Sequence, residues 1–208
     1  MADIELWRSG VAALSRWACG SVAGRGKSDP VYVEVTENEH GCPREHYSSC
    51  ADQVHWIAKR LGIERPWVNR TDDDFGERWK FGVNVSKLNG VCRPVPLSFV
   101  PELGDCCISW NRPDTKDAHV WVYLGPNADR PGDHWSGNYG AAGMSAAEFP
   151  GARVVSKHLY VSGPGLMYGT RRIQRVLTVP MLVAMRGAKH ADFSGTDLTG
   201  EVRDALEA

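Results

Sequence analysis

The chain has 208 residues, 42% of them hydrophobic and 24% charged, with a formal net charge of -1 at neutral pH. That balance belongs to a globular protein with one proper core. It excludes the basic footprint of a nucleic-acid binder, and no window approaches the roughly 18 uninterrupted apolar residues of a membrane span. The first segment, "MADIELWRSGVAALSRWACGS", lacks the basic start and continuous apolar stretch of a secretory leader, and it carries Asp3 and Glu5. It reads as an amphipathic helix with Ile4, Trp7, Val11, Leu14 and Ala18 on one face. A Gly-rich connector follows, then "VYVEVTEN" as a short strand or extended arm, then the turn-rich "EHGCPREHYSS".

The next element is a helix over about 50–61. Cys50, Val54, Ile57 and Leu61 form one stripe at helical spacing. Ser49 is its expected N-cap, with Asp52 three residues on, and Gly62 follows Lys59 and Arg60 as the expected C-cap. Cys50 therefore lies in the first turn, facing inward, where unpaired N–H groups and the macrodipole favour a thiolate. Simple packing is the competing role for such a cysteine. Residues 64–92 are polar, with Asp72, Asp73 and Asp74 clustered and room for one short helix. Strands are expected near 105–110, 118–124, 134–139, 153–161 and 171–179, and the terminal "TDLTGEVRDALEA" reads as a short acidic helix. Helices first and an antiparallel run of strands afterwards is an α+β order. There is no internal repeat.

The six cysteines (19, 42, 50, 92, 106 and 107) are expected to be free thiols, given no secretory leader and two that are adjacent. Eight tryptophans suit either core packing or a surface that grips flat sugar rings. A thiolate nucleophile needs a base, and the base needs a third group to hold its tautomer. Of seven histidines, His119 opens "AHVWVYLG", a strand with His119, Trp121 and Tyr123 on one face and Val120, Val122 and Leu124 on the other. Asn138, in the return segment "HWSGNYG", is a candidate partner for the imidazole across an antiparallel ladder.

"YSSCADQVHWIAKRLG", "PELGDCCISW" and "AHVWVYLG", in that order, resemble the NlpC-type and CHAP-type cysteine peptidases and amidases of bacterial and phage cell-wall enzymes. The resemblance covers about residues 43–140. It implies a papain-like fold, with the nucleophile helix packed on an antiparallel sheet of about five strands. It implies Cys50 as nucleophile, His119 as base and Asn138 as the orienting residue, with His134 or Asp133 as alternatives for the last role. Tyr47, Ser49 and Trp121 would contact substrate, Tyr47 as a possible oxyanion donor. Ser49 stands where the family has an aspartate, and Ala51-Asp52 replaces the usual small pair.

The implied activity is hydrolysis of an amide bond in peptidoglycan, with no cofactor and no metal. Without a leader, the enzyme would reach the wall after lysis, in a virion or through a secretion machine. The domain would span 41–186, flanked by an N-terminal helix and arm (1–40) and a C-terminal linker and helix (187–208). Those terminal helices lie outside the matched region and could dock on virion or tail proteins. Two other readings stay open. One is a structural zinc site drawing on Cys42, His46 and Cys50, with Cys92, Cys106 and Cys107 following, although the spacing fits no standard knuckle. The other is a non-catalytic assembly component that keeps a peptidase-like fold.

Overall fold

A computed structural model describes residues 3–19, 54, 57–63, 91–110, 119–128, 131–137, 159–161, 165–168 and 171–208. Helix α1 is Ile4–Cys19, and a second helix, α2, is described at Val54 and over 57–60. The strands are β1 Arg93–Pro94, β2 Cys106–Trp110, β3 His119–Pro126, β4 Asp133–Gly137, β5 Leu159–Val161, β6 Leu166–Tyr168 and β7 Arg171–Leu177. Helices α3 (Val179–Ala184) and α4 (Gly200–Glu207) follow. The fold is α+β.

All pairings are antiparallel, in the order β1-β7-β2-β3-β4-β5-β6, and β6 also pairs with β7. Six strands thus close into a ring, with the two-residue β1 as an addition on β7. Closure removes the sheet edges that would otherwise offer unpaired N–H and C=O groups. Two short strands, β1 and β6, go beyond the five expected from the sequence.

Side chains alternate between the two faces along each strand. Cys106, Ile108, Val120, Val122 and Leu177 join one core with Trp7, Val11 and Leu14 of α1 and Val54, Ile57 and Leu61 of α2. Cys107, Trp121, Tyr123, Leu166, Ile173 and Val176 form a second cluster on the other face. Helices cannot fit inside a six-stranded ring, so the second face is the inner one. The stripe read from the α2 sequence is therefore the stripe that packs on the sheet, at Val54, Ile57 and Leu61; Cys50 lies outside the described residues.

Both terminal helices belong to the same core. Residues 10–15 of α1 are buried all round, which a one-sided docking helix would not be. Gly10 explains the close fit: a Cβ there would come within 2.8 Å of the Phe193 ring and 2.9 Å of Leu206 in α4. Both terminal helices thus pack their apolar faces into the domain core, and polar positions on each stay exposed. The apolar faces of α1 and α4 are spent on each other and on the sheet. The expected 1–40 and 41–186 division has its boundary outside the described residues. Among the described residues, no helix is long and apolar enough to cross a membrane.

Candidate active site

The Gly104–Asp105 pair ahead of β2 has a structural explanation. Gly104 has φ +84, and a Cβ would meet Val179 at 2.9 Å and the backbone oxygen of Arg8 at 3.0 Å. Both the conformation and the close approach of α1 require glycine. Asp105 is buried, and its carboxylate accepts the backbone N–H groups of Val179 and Glu102, each at 3.0 Å. Arg8 approaches the same carboxylate at 3.5 Å and also pairs with Glu102. Burial pushes the Asp105 carboxyl up from its usual value, against the two N–H bonds and Arg8, which hold it down. One side chain thereby ties α1, the β2 entry and the first turn of α3 together.

From there β2 leads to β3. His119, half-buried, is the first residue of β3 and stands opposite Ser109. Paired residues share a face, so His119 belongs to the inner face with Trp121 and Tyr123, while Val120 and Val122 face the helices. Trp121 is fully buried, and its indole N–H donates to Ser109 Oγ at 3.0 Å. The structure thus assigns Trp121 to the inner core as packing next to His119. The substrate-contact role expected of it needs exposed ring surface, which this placement does not provide.

The register of β4 separates the three candidates for orienting His119. Tyr123 pairs with Ser136 and Pro126 with His134, so Asp133 and His134 lie beside the far end of β3. Seven residues of strand, about 23 Å at roughly 3.3 Å each, separate His119 from that end. His134 is committed there to Tyr123, whose hydroxyl is 2.7 Å from His134 Nδ1. Burial lowers the His134 pKa, opposed by Asp133, and burial raises that of Tyr123. His134 and Asp133 are therefore excluded as orienters of His119. Asn138 directly follows Gly137, the last described residue of β4. It lies outside the described residues, as do Cys50, Tyr47 and Ser49, so His119 is the one member of the expected triad that the structure places.

The described end of α2 is held firmly. Gly62, at φ +82, donates to Lys59 O at 2.9 Å, and Ile63 donates to Ala58 O at 3.0 Å. This is a Schellman ending, as Gly62 was expected to provide. The segment 186–194 then covers the remaining carbonyls. Asp192 N–H donates to Arg60 O at 2.7 Å, and Arg186 Nε donates to Leu61 O at 2.8 Å. The Arg60 guanidinium returns to the Asp192 carboxylate at 2.7 Å. No short-range pattern in the sequence signalled this clamp, because its partners lie more than a hundred residues apart.

Of the six cysteines, Cys92, Cys106 and Cys107 are free and buried. Burial pushes the Cys92 thiol up to about 12 and those of Cys106 and Cys107 well above the usual value. Among the described residues, no three His, Cys, Asp or Glu side chains group closely enough to hold a metal ion. Cys42 and His46, named for the zinc reading, lie outside them. Comparison with family models, with curated proteins and with solved structures finds no match.

Proposed function

We propose that this protein is a cysteine-dependent amide hydrolase of papain-like fold that cleaves peptidoglycan, at a stem-peptide, cross-bridge or sugar–peptide amide. The observation that carries the reading is the shared core of α2, β2 and β3. A helix packs its Val54, Ile57 and Leu61 stripe, the stripe that the sequence pattern starts at Cys50, on the face of a sheet whose Gly-Asp strand neighbours a strand that starts with histidine. The substrate class rests on the resemblance of those three segments to the NlpC and CHAP types.

His119 takes the Cys50 thiol proton, and the thiolate attacks the amide carbonyl. The Cys50 backbone N–H, at a helix N-terminus, donates to the oxyanion with Tyr47 as a second donor. His119 then protonates the leaving amine, and a water molecule, activated by the same imidazole, hydrolyses the thioester. Asn138 holds the imidazole, the role from which the β4 register removes His134 and Asp133. Because α2 covers the outer face and His119 belongs to the inner one, the mechanism requires Cys50 to reach His119 around the end of the sheet where β3 begins. The protein acts on the wall after lysis, virion delivery or specialised secretion.

A second reading, a non-catalytic assembly component, is favoured by that same opposition of faces. Purified protein incubated with cell-wall sacculi, with released fragments read by mass spectrometry, decides between them. Release of new amino termini by the wild-type chain and none by Cys50→Ala is the expected result. Folded wild-type protein that releases nothing establishes the second reading.

A further inference from the structure

A positive charge stands on the inner face at the His119 end of the sheet. Strand β7 opens Arg171-Arg172-Ile173, and the ladder sets Ile173 opposite Ser109 and Ser109 opposite His119. Residues two apart on a strand share a face, so Arg171 joins Ile173, Ser109 and His119. A β-bulge makes this so. Ile108 pairs with Arg175 but Ser109 pairs with Ile173, leaving Gln174 as the extra residue. In an unbroken ladder Ile173 and Arg171 would turn towards the helices. The neighbouring strand agrees, since Arg171 stands opposite Tyr168, two residues from the inner-face Leu166.

Two strand spacings across and two residues along separate the Cα atoms of Arg171 and His119 by about 12 Å. A long arginine side chain and one substrate carboxylate bridge that span together. The Arg171 Nε is buried with no hydrogen-bond partner among the described residues. Arg172 Nη1 is buried without such a partner too, but on the opposite face, and His119 Nε2 shares the condition on the inner face; of the other arginines with a buried Nε, Arg8 pairs with Glu5 and Glu102 and Arg60 with Asp192. A desolvated guanidinium N–H without an acceptor is costly, and a carboxylate satisfies it through two parallel hydrogen bonds.

We infer that Arg171 is a substrate-binding residue that holds a free carboxylate of the stem peptide beside His119. The inference rests on the hydrolase reading for its substrate, while the site itself is tested by binding alone. The full-length Cys50→Ala chain, which cannot turn over, is titrated by calorimetry with an alanyl-γ-glutamyl-lysine tripeptide. The peptide is used with its carboxylates free or with all of them converted to carboxamides.

The free acid is expected to bind at least ~10-fold more tightly, the size of a hydrogen bond to a charged group. Arg171→Gln should erase that preference, and Arg171→Lys should reduce it, because an ammonium cannot bind bidentately. Arg172→Gln removes the same charge from the opposite face and should leave the preference intact. Equal binding of the two peptides, binding of neither, or a preference that survives in Arg171→Gln overturns the inference. Should Arg171→Gln fail to show a cooperative melt, the folded Arg171→Lys chain decides by the same criterion. A clear preference in a protein that leaves sacculi intact defeats the hydrolase reading and not the site. Cleavage of sacculi without any preference does the reverse.

Discussion

Iodoacetamide sorts the six cysteines by thiolate content and access, and the structure sets the size of the contrast. The Cys92 thiol is pushed up to about 12 by burial. At pH 7.5 such a thiol is ionised in about 3 parts in 100,000, against about one part in ten for a free thiol near 8.5. Cys92 should therefore label about 3,000-fold more slowly than a free thiol, before its burial is counted as a barrier to the reagent. Cys106 and Cys107, fully buried with thiols pushed well above the usual value, should also be very slow. A Cys50 thiolate held by a helix N-terminus and His119 behaves oppositely, and acid conditions reveal it best. At pH 6 an ordinary thiol is ionised by only about 0.3%, whereas a nucleophile with a pKa at or below 6 is at least half ionised, a contrast of ~100-fold. The assay is a labelling time course at both pH values, quenched and read peptide by peptide by mass spectrometry. His119→Ala should slow the Cys50 rate near neutrality. If Cys92, Cys106 or Cys107 labels within tenfold of a free thiol in folded protein, the burial argument is refuted. If Cys50 at pH 6 is no faster than Cys19 or Cys42, the nucleophile is refuted.

Asp105→Ala should cost about 3 kcal/mol in urea unfolding, since it strands two backbone N–H groups and leaves Arg8 with one acid fewer; a loss below about 1 kcal/mol would contradict its role as a tie between α1, β2 and α3. Gly62→Ala should cost about 2 kcal/mol, from the positive φ and from a Cβ built 2.5 Å from the backbone oxygen of Lys189. An unchanged midpoint would show that the 186–194 clamp yields freely. Ile57→Ala should destabilise by about 2–5 kcal/mol, because it empties a fully buried position between α2 and the sheet, and a circular-dichroism melt measures it. His134 has a folded pKa below its usual 6.5, so the unfolded chain binds the proton more readily in the window between the two values. Stability should fall as pH drops through that window, and His134→Gln should flatten the slope in melts between pH 7 and 5.

The outcome for each element follows from the range over which its forces act. The α2 stripe, the Gly62 ending and the alternation of β3 were legible in the sequence because they arise from contacts within a few residues and from two backbone periods. The start of α3 was equally local. Thr178 accepts the Met181 N–H and Pro180 fills the first turn, yet the β-rich pattern before it runs on to residue 179. The proposed nucleophile and base are expectations of the same local kind, since a cysteine opening a helix and a histidine opening a strand are statements about neighbours in the chain. The burial of Trp121, the merging of both terminal helices into one core and the exclusion of His134 and Asp133 belong to the tertiary structure alone. Each depends on which strand lies beside which and in what register, and that is decided by packing between segments tens to nearly two hundred residues apart. The one-residue bulge at Gln174 is the sharpest case: no residue near it announces the slip, yet it turns Arg171 to the face of His119, because a period of two sends every side chain past a bulge to the other side of the sheet.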